Sequence, residues 1–264
     1  QLREIGISDA RIILEPVGRN SAPAIAAAAF LVAETGPDAV LWVMAADAAI
    51  TDDKPLQDAL AKAEVAAQAG RIVTFGIKPR RAETGYGYIE CGQPRDGIGG
   101  GFDVSRFIEK PQEQDVQALI ADSRYFWNSG MFVAQAKTFL TETEQYAPEV
   151  YQCVKQAVQA RKRDIDFERL DVDTFSRSPA IPVDYALIEP TDRIPVVPGA
   201  FGWSDNGSRD ALWELSPKDD ENNAAVGDVL LDRSRNLSFR SAGALTTMVR
   251  GAAPGGVAVD DPAT

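Results

Sequence analysis

Val40-Leu41-Trp42-Val43-Met44-Ala45-Ala46-Asp47 is the stretch from which the fold can be read. It follows a turn-like Gly36-Pro37-Asp38, and a short unbroken apolar run of this kind reads as a strand buried on both faces. Such a strand belongs in a parallel sheet covered by helices, where ligands gather beyond the carboxyl ends of the strands. Asp47 sits where the apolar run stops. A carboxylate in that position either coordinates a metal or caps the next turn.

The pattern extends outward from there. Upstream lie a strand at Arg11 to Leu14, a turn-rich loop from Glu15 to Pro23, and an apolar helix from Ala24 to Val32 that lacks a polar face and is expected to be buried. Asn20 or Ser21 is placed to cap that helix, and the loop's backbone N–H groups and Asn/Arg side chains are equally placed to meet a polar ligand. Downstream, Leu56, Leu60, Ala63 and Ala67 recur at helical spacing, Gly70 closes the helix, and Arg71 to Gly76 forms the next strand. A β-α-β-α-β order predicts an α/β fold: a Rossmann-like, mainly parallel sheet covered by helices.

Several later segments combine chemistry with structure. Gly85 and Gly87 flank Tyr86 and permit close backbone approach by a strand or a ligand. Val104 to Pro111 is a strand ending in Glu109-Lys110, either a solvated end or a point charge suited to phosphate. In Tyr125 to Val133, aromatics surround Asn128-Ser129-Gly130, a pattern that reads as a bulged buried strand or as an asparagine set to bind a sugar hydroxyl. A helix entry at Pro182 to Ile188 carries Asp184, and the prolines in Ile194 to Pro198 predict an edge strand. Asp205 lies in a Gly-rich turn before a helix expected over Asp210 to Leu215. From Lys218 the composition shifts to a polar hinge and then short β-type runs, at Val229-Leu231, Leu237-Phe239, Leu245-Val249 and Val257-Val259. The expected division is residues 1–217 and a β-rich, β-helix-like appendage over 218–264.

Composition narrows the function. The 264 residues are 45% apolar and 25% charged, as in ordinary globular proteins. A net charge of −12 argues against nucleic acid and anionic membranes, so an anionic small substrate needs local cations or a metal. No run reaches membrane-spanning length, and two cysteines are too few for a disulfide framework, which makes the reducing cytoplasm the default location. There is no histidine, so the commonest acid/base group is absent. Nothing in the sequence decides for or against a homo-oligomer.

Taken together, Glu15-Pro-Val-Gly-Arg-Asn-Ser-Ala-Pro23, Ala46-Asp47, Glu83-Thr-Gly-Tyr-Gly-Tyr-Ile89, Phe107-Ile-Glu-Lys-Pro111, Trp127-Asn-Ser-Gly-Met-Phe132, Val183-Asp-Tyr185 and Gly202-Trp-Ser-Asp-Asn-Gly-Ser208 resemble bacterial mannose-1-phosphate guanylyltransferases. The nearest likeness is to the nucleotidyltransferase half of bifunctional enzymes that also carry a mannose-6-phosphate isomerase domain. The resemblance implies a nucleotide-diphospho-sugar transferase fold, GTP and mannose 1-phosphate as substrates, and GDP-mannose and pyrophosphate as products. It implies that Asp47 and Asp205 hold Mg²⁺ and that Lys110 contacts phosphate. Gly87, Glu109, Asn128 and Asp184 would contact mannose, while Glu15, Arg19, Asn20 and Ser21 would face the base.

Three departures accompany the likeness. The family's Gly-rich phosphate loop does not occur in these residues, and the chain is expected to begin after the first part of the sheet. Ala45-Ala46-Asp47-Ala48 stands where the family pattern is Pro-Ala-Asp-His, and an isomerase domain is not expected within these 264 residues. The resemblance therefore implies little GDP-mannose synthesis by this chain alone. Two other readings are a nucleotide-sugar-binding paralogue without turnover and a metal-dependent glycosyltransferase. The second normally shows Asp-x-Asp, and residue 49 is Ala.

Overall fold

The structure is a computed structural model that describes residues 2–7, 9–164, 167–192, 194–205, 216–240 and 247–250. The chain divides into two compact units: residues 1–46 with 50–203, and residues 47–49 with 204–264. The composition boundary expected near residue 218 falls inside the second unit, whose first residues after Trp203 carry Asp205.

In the first unit, β1 (Ile12–Leu14) leads through the Glu15–Asn20 loop to α1 (Ser21–Ala33). Then follow β2 (Val40–Val43), α2 (Asp53–Gln68), β3 (Val73–Ile77), β4 (Tyr88–Pro94) and β5 (Phe102–Ile108). Next come α3 (Glu113–Ala121), β6 (Tyr125–Gln135), α4 (Ala136–Tyr146) and α5 (Pro148–Gln159). The hairpin β7 (Lys162–Asp164) and β8 (Phe167–Arg169), the short α6 (Val172–Phe175), a π-helical turn (Asp184–Ile188) and β9 (Pro195–Gly199) complete it. No helix among the described residues is long and apolar enough to cross a membrane.

The main sheet has six strands in the order β2-β6-β3-β9-β5-β4. Four strands (β2, β3, β9 and β4) run one way, as a mainly parallel sheet requires, but β6 and β5 run against them between their neighbours. The sheet is therefore mixed, and β3 with β9 is its one directly parallel pair among the described residues. β6 also pairs with β4, so the pairings close a ring through β6, β3, β9, β5 and β4. A small apolar cluster with Ile89, Cys91, Val196 and Phe126 fills part of the space between those strands. Cys91 is buried there, which pushes its thiol up to about 11 and leaves it inert.

Two strand expectations are corrected. β2 is not buried on both faces: it lies at one end of the sheet, pairs with β6 alone among the described strands, and exposes Trp42. Val40 packs against the cluster that holds α2, and Leu41 and Val43 against the one that holds α1, but each is only partly buried at this end of the sheet, which composition by itself does not distinguish. β9 is not an edge strand despite Pro195 and Pro198. It is buried between β3 and β5. Alternate residues of a strand direct their N–H groups to opposite neighbours, and the ladder to β5 is only two pairs long, so two missing donors are tolerated. The strand expected at Arg11 to Leu14 exists, but it pairs with β8 in a separate three-stranded sheet.

Helices cover the sheet as predicted. The apolar α1 packs in a core cluster with α4, α5 and the residues around Val183–Ile188. α2 buries Leu56, Ala59, Ala63, Ala66 and Ala67 against β3 and β6 residues, and Gly70 (φ 76°) ends that helix in the left-handed region that favours glycine.

In the second unit, β10 (Ala224–Val226) pairs in parallel with β12 (Ser238–Arg240), and β11 (Val229–Asp232) with β13 (Thr247–Arg250). Short parallel strands returning to stack on earlier ones are the pattern of a β-helix-like coil. Asn223, only 3% exposed, pins the turn: its Nδ2 donates to Asp219 Oδ2 (3.0 Å) and to the Ser234 carbonyl (2.9 Å), while its Oδ1 accepts from Leu237 N (3.2 Å). The helix expected over Asp210 to Leu215 and the run Val257-Val259 lie outside the described residues.

Gly76 is a close-packed point between neighbouring strands of the ring. A Cβ there would lie 2.9 Å from Phe126 Cβ and 2.9 Å from Val196 Cγ2, both on neighbouring strands rather than on mobile side-chain ends. Gly76→Ala is expected to destabilise the protein by about 1–3 kcal/mol, the usual range for overpacking a filled interior. Urea unfolding of the variant beside wild type measures it, and an unchanged midpoint would contradict this account of the ring.

Candidate functional site

Asn128 is the centre of the site. Between Thr74 and Gly76, β3 advances two residues while β6 advances four, from Phe132 to Asn128, so Ser129-Gly130-Met131 forms a bulge. Gly130 adopts φ 69° within it, a conformation open to glycine at little cost. The bulged-strand reading and the ligand-binding reading of this segment are thus compatible: the bulge sets the position of the asparagine.

Asn128 is 9% exposed, and three of the four hydrogen-bonding positions of its carboxamide have protein partners. Oδ1 accepts from Thr74 Oγ1 (2.9 Å) and, at longer range, from Gly130 N (3.4 Å). Nδ2 donates to Asp184 Oδ1 (3.0 Å), and the backbone N–H donates to the Gly87 carbonyl (2.8 Å). Gly87 touches Glu109 as well: a Cβ on Gly87 would fall 2.7 Å from Glu109 Oε2 and 3.1 Å from Phe107 Cζ. Glycine at 87 is what lets the Glu109 carboxylate approach the backbone. Lys110 follows, with Nζ 3.9 Å from Glu109 Oε1 and the side chain mostly exposed. Its φ of 45° is unusual for a lysine, and backbone strain of this kind concentrates at functional sites. Lys110 also lines an open groove of about 610 Å³ bordered by Glu83 and Thr84.

Of the residues expected to form the site, Gly87, Glu109, Lys110, Asn128 and Asp184 therefore come together. Asp184 opens the π-helical turn, in which Glu189 N–H donates to the Asp184 carbonyl (2.8 Å) five residues back. Such turns are rare and often mark functional sites. They also bring a residue missed by sequence reasoning to the site: Glu189 acts electrostatically on Glu109, and Asp184 on Glu189. Thr74 was missed as well, since a β-branched residue in a strand carries no separate signal.

The acids repel one another. Burial pushes the Asp184 carboxyl above the ordinary range, and the hydrogen bonds from its own backbone N–H and from Asn128 do not offset that. Burial also raises Glu109, with the charge of Asp184 adding to it, Lys110 opposing it and Glu189 adding again. Glu189 is raised by burial and then by Asp184. At pH values between its unfolded and its raised folded pKa, a carboxyl is protonated in the fold while ionised in the unfolded chain. Its destabilising effect is absent at low pH and grows as pH rises through that interval.

The N-terminal loop joins the same neighbourhood. Ser21 Oγ accepts from Val183 N (2.9 Å), and Ala22 N donates to the Ile181 carbonyl (3.2 Å), so the start of α1 is stitched to the residues before Asp184. Asn20 (φ 67°) caps the helix through Oδ1 and Ser21 N (2.9 Å). Two of the first-turn N–H groups are thus engaged within the protein, which removes them from any anion. Arg19 donates to the Ser176 carbonyl, and its Nε is buried without a protein partner. Glu15 is raised by burial and lowered by the Arg19 backbone N–H.

Asp47 and Asp205 belong to the second unit. An antiparallel bridge joins Ala49 to Ser204, with N–H···O bonds of 2.7 and 3.0 Å in the two directions, so the two acids lie on adjoining backbone segments although far apart in sequence. No group of three or more His, Cys, Asp or Glu side chains suited to a metal occurs among the described residues. Two carboxylates are nevertheless a sufficient protein share for Mg²⁺, which keeps several waters and takes phosphate oxygens as further ligands.

With this geometry in view, the comparisons decide the family. Residues 2–222 match the nucleotidyl transferase family. The chain belongs to that family. Among its relatives, the xanthan biosynthesis protein XanB of Xanthomonas campestris pv. campestris (strain B100) is 43% identical over 242 residues, 91% of this chain and 51% of that protein. A mannose-1-phosphate guanylyltransferase of Klebsiella pneumoniae is 42% identical over 242 residues, with the same coverage of 91% and 51%. This nucleotidyl transferase chain thus spans about half the length of the curated relatives it matches. A crystal structure described as mannose-1-phosphate geranyltransferase from Thermus thermophilus superposes with a TM-score of 0.81 at 26% identity, covering 99% of this chain and 74% of that one.

The raised carboxyls make a directional prediction. Above the ordinary carboxylate range, wild-type stability is expected to fall with rising pH relative to Asp184→Asn, whose amide cannot ionise. Thermal midpoints of both proteins across mildly acidic to neutral pH test this. Parallel curves would show that Asp184 is not strained by its surroundings.

Proposed function

We propose that this chain carries the sugar-phosphate and nucleotide recognition surfaces of a mannose-1-phosphate guanylyltransferase. The observation that carries the reading is the Asn128–Asp184 pair beside Gly87 and Glu109. A sugar hydroxyl both donates and accepts, so an amide next to carboxylates answers both needs in one small region. The identity with a mannose-1-phosphate guanylyltransferase supports mannose as the sugar.

The reaction follows from charge. A phosphate oxygen of mannose 1-phosphate attacks the α-phosphorus of GTP. A new P–O bond forms, the bond from the α-phosphorus to its bridging oxygen breaks, and pyrophosphate leaves. The nucleophile is already anionic near neutral pH, so a histidine-free chain needs no general base for this step. In-line positioning and charge neutralisation carry the catalysis. Lys110 supplies a point charge toward phosphate. Asp47 and Asp205 would hold Mg²⁺, which when bound neutralises phosphate oxygens. Glu15, Arg19, Asn20 and Ser21 form the loop assigned to the guanine. That loop's stitching through Ser21 to Val183 gives base recognition a rigid base.

The test is mannose 1-phosphate binding by isothermal titration calorimetry, with Asn128→Ala beside wild type. Losing a buried amide contact is expected to weaken binding about tenfold, the size of one net hydrogen bond in a water-excluded site. Equal affinity in the two proteins would remove Asn128 from the sugar site.

A further inference from the structure

Thr74 is 0% exposed and lies one strand away from Asn128. Its Oγ1 sits 2.9 Å from Asn128 Oδ1 and 3.3 Å from the Met131 carbonyl. A carboxamide has two nearly isosteric orientations, and the partners around it select one. Gly130 N can only donate, so the amide oxygen belongs on its side, and the amide nitrogen on the other side donates to Asp184 Oδ1. The Gly130 contact is long at 3.4 Å, which leaves the Thr74 hydroxyl as the short donor holding the oxygen. Rotated by half a turn, the amide would set its nitrogen against the Gly130 N–H, donor against donor, and would give up the bond from Nδ2 to Asp184.

We propose that Thr74 is a positioning residue for sugar recognition, fixing the Asn128 carboxamide so that its N–H groups face Asp184 and the sugar. This rests on the sugar-site reading above. Thr74 acts through Asn128 and is not placed in contact with the ligand. The bulge makes the arrangement possible, because the shift in register sets Asn128 opposite Gly76, two residues from Thr74. Gly76, two residues after Thr74, is closely packed against Phe126 and Val196, so β3 has little freedom to move the hydroxyl away.

The experiment compares Thr74→Val and Thr74→Ala, which both lack the hydroxyl, with Thr74→Ser, which keeps it. Two readouts are taken: the affinity for mannose 1-phosphate by calorimetry, and the side-chain amide signals of Asn128 by ¹⁵N NMR without ligand. The hydroxyl-free variants are expected to bind about tenfold more weakly, the size of one lost hydrogen bond, with Asn128 amide protons shifted and faster to exchange. Serine is expected to restore both readouts. A purely packing role predicts a different order, in which valine behaves as wild type and serine as alanine, and that order would overturn the proposal. Should valine not fold at this packed position, alanine against serine carries the same comparison. Unchanged affinity and unchanged Asn128 signals in the hydroxyl-free variants would also overturn it. If the wild-type chain itself fails to bind mannose 1-phosphate, the functional reading falls and this inference with it, whereas wild-type binding with unaltered variants overturns the inference alone.

Discussion

The strand Tyr125–Gln135 has to serve three neighbours, and the rest of the first unit follows from that obligation. Its later half pairs with Val40–Val43 and with Val73–Thr74, while its first residues pair with Gly76–Ile77 and with Tyr88–Glu90. A straight strand cannot hold these registers at once. The extra residues at Ser129-Gly130-Met131 absorb the mismatch, and the strand ring closes around Gly76 and Val196. The same bulge sets Asn128 between a buried hydroxyl and a partly buried carboxylate. The irregularity that closes the sheet is thus also the one that builds the site, in keeping with the tendency of bulges to occur beside active sites.

Electrostatics explains why the site is made of acids in a family that handles phosphates. Asp184, Glu109 and Glu189 stand near one another and are destabilised by burial and mutual repulsion. Such an arrangement would be costly as mere structure. On the function proposed above, these carboxylates serve as acceptors for sugar hydroxyls, and Lys110 beside Glu109 is the charge proposed to meet the sugar's phosphate. The Arg11–Glu168–Arg161 network offers a contrast. There, two guanidiniums outweigh burial and hold Glu168 below the ordinary range, and its role is to tie β8 to the end of α5.

Much of this was legible in the residues. The helix-and-strand alternation was readable from apolar spacing, and the likeness carried by Gly87, Glu109-Lys110, Asn128 and Asp184 anticipated residues that pack together. What was not legible depended on partners distant in sequence. Val40 to Val43 looked doubly buried because composition records hydrophobicity and not which neighbours cover it. Pro195 and Pro198 pointed to an edge because a short, two-pair ladder inside a sheet leaves no trace in sequence. Glu189 was hidden by the π-turn, which places it one residue beyond helical expectation, and Thr74 by the ordinariness of threonine in a strand.

The central claim is that Asn128, Asp184, Glu109 and Gly87 form one sugar-binding surface. The most direct test is a titration of ¹⁵N-labelled chain with mannose 1-phosphate, following every assigned backbone amide. The account predicts saturable shifts concentrated at Gly87, Glu109-Lys110, Asn128 to Gly130 and Asp184. Saturable shifts that leave those residues silent and fall instead on a remote surface, such as the groove between Pro148 and Arg177, would contradict it.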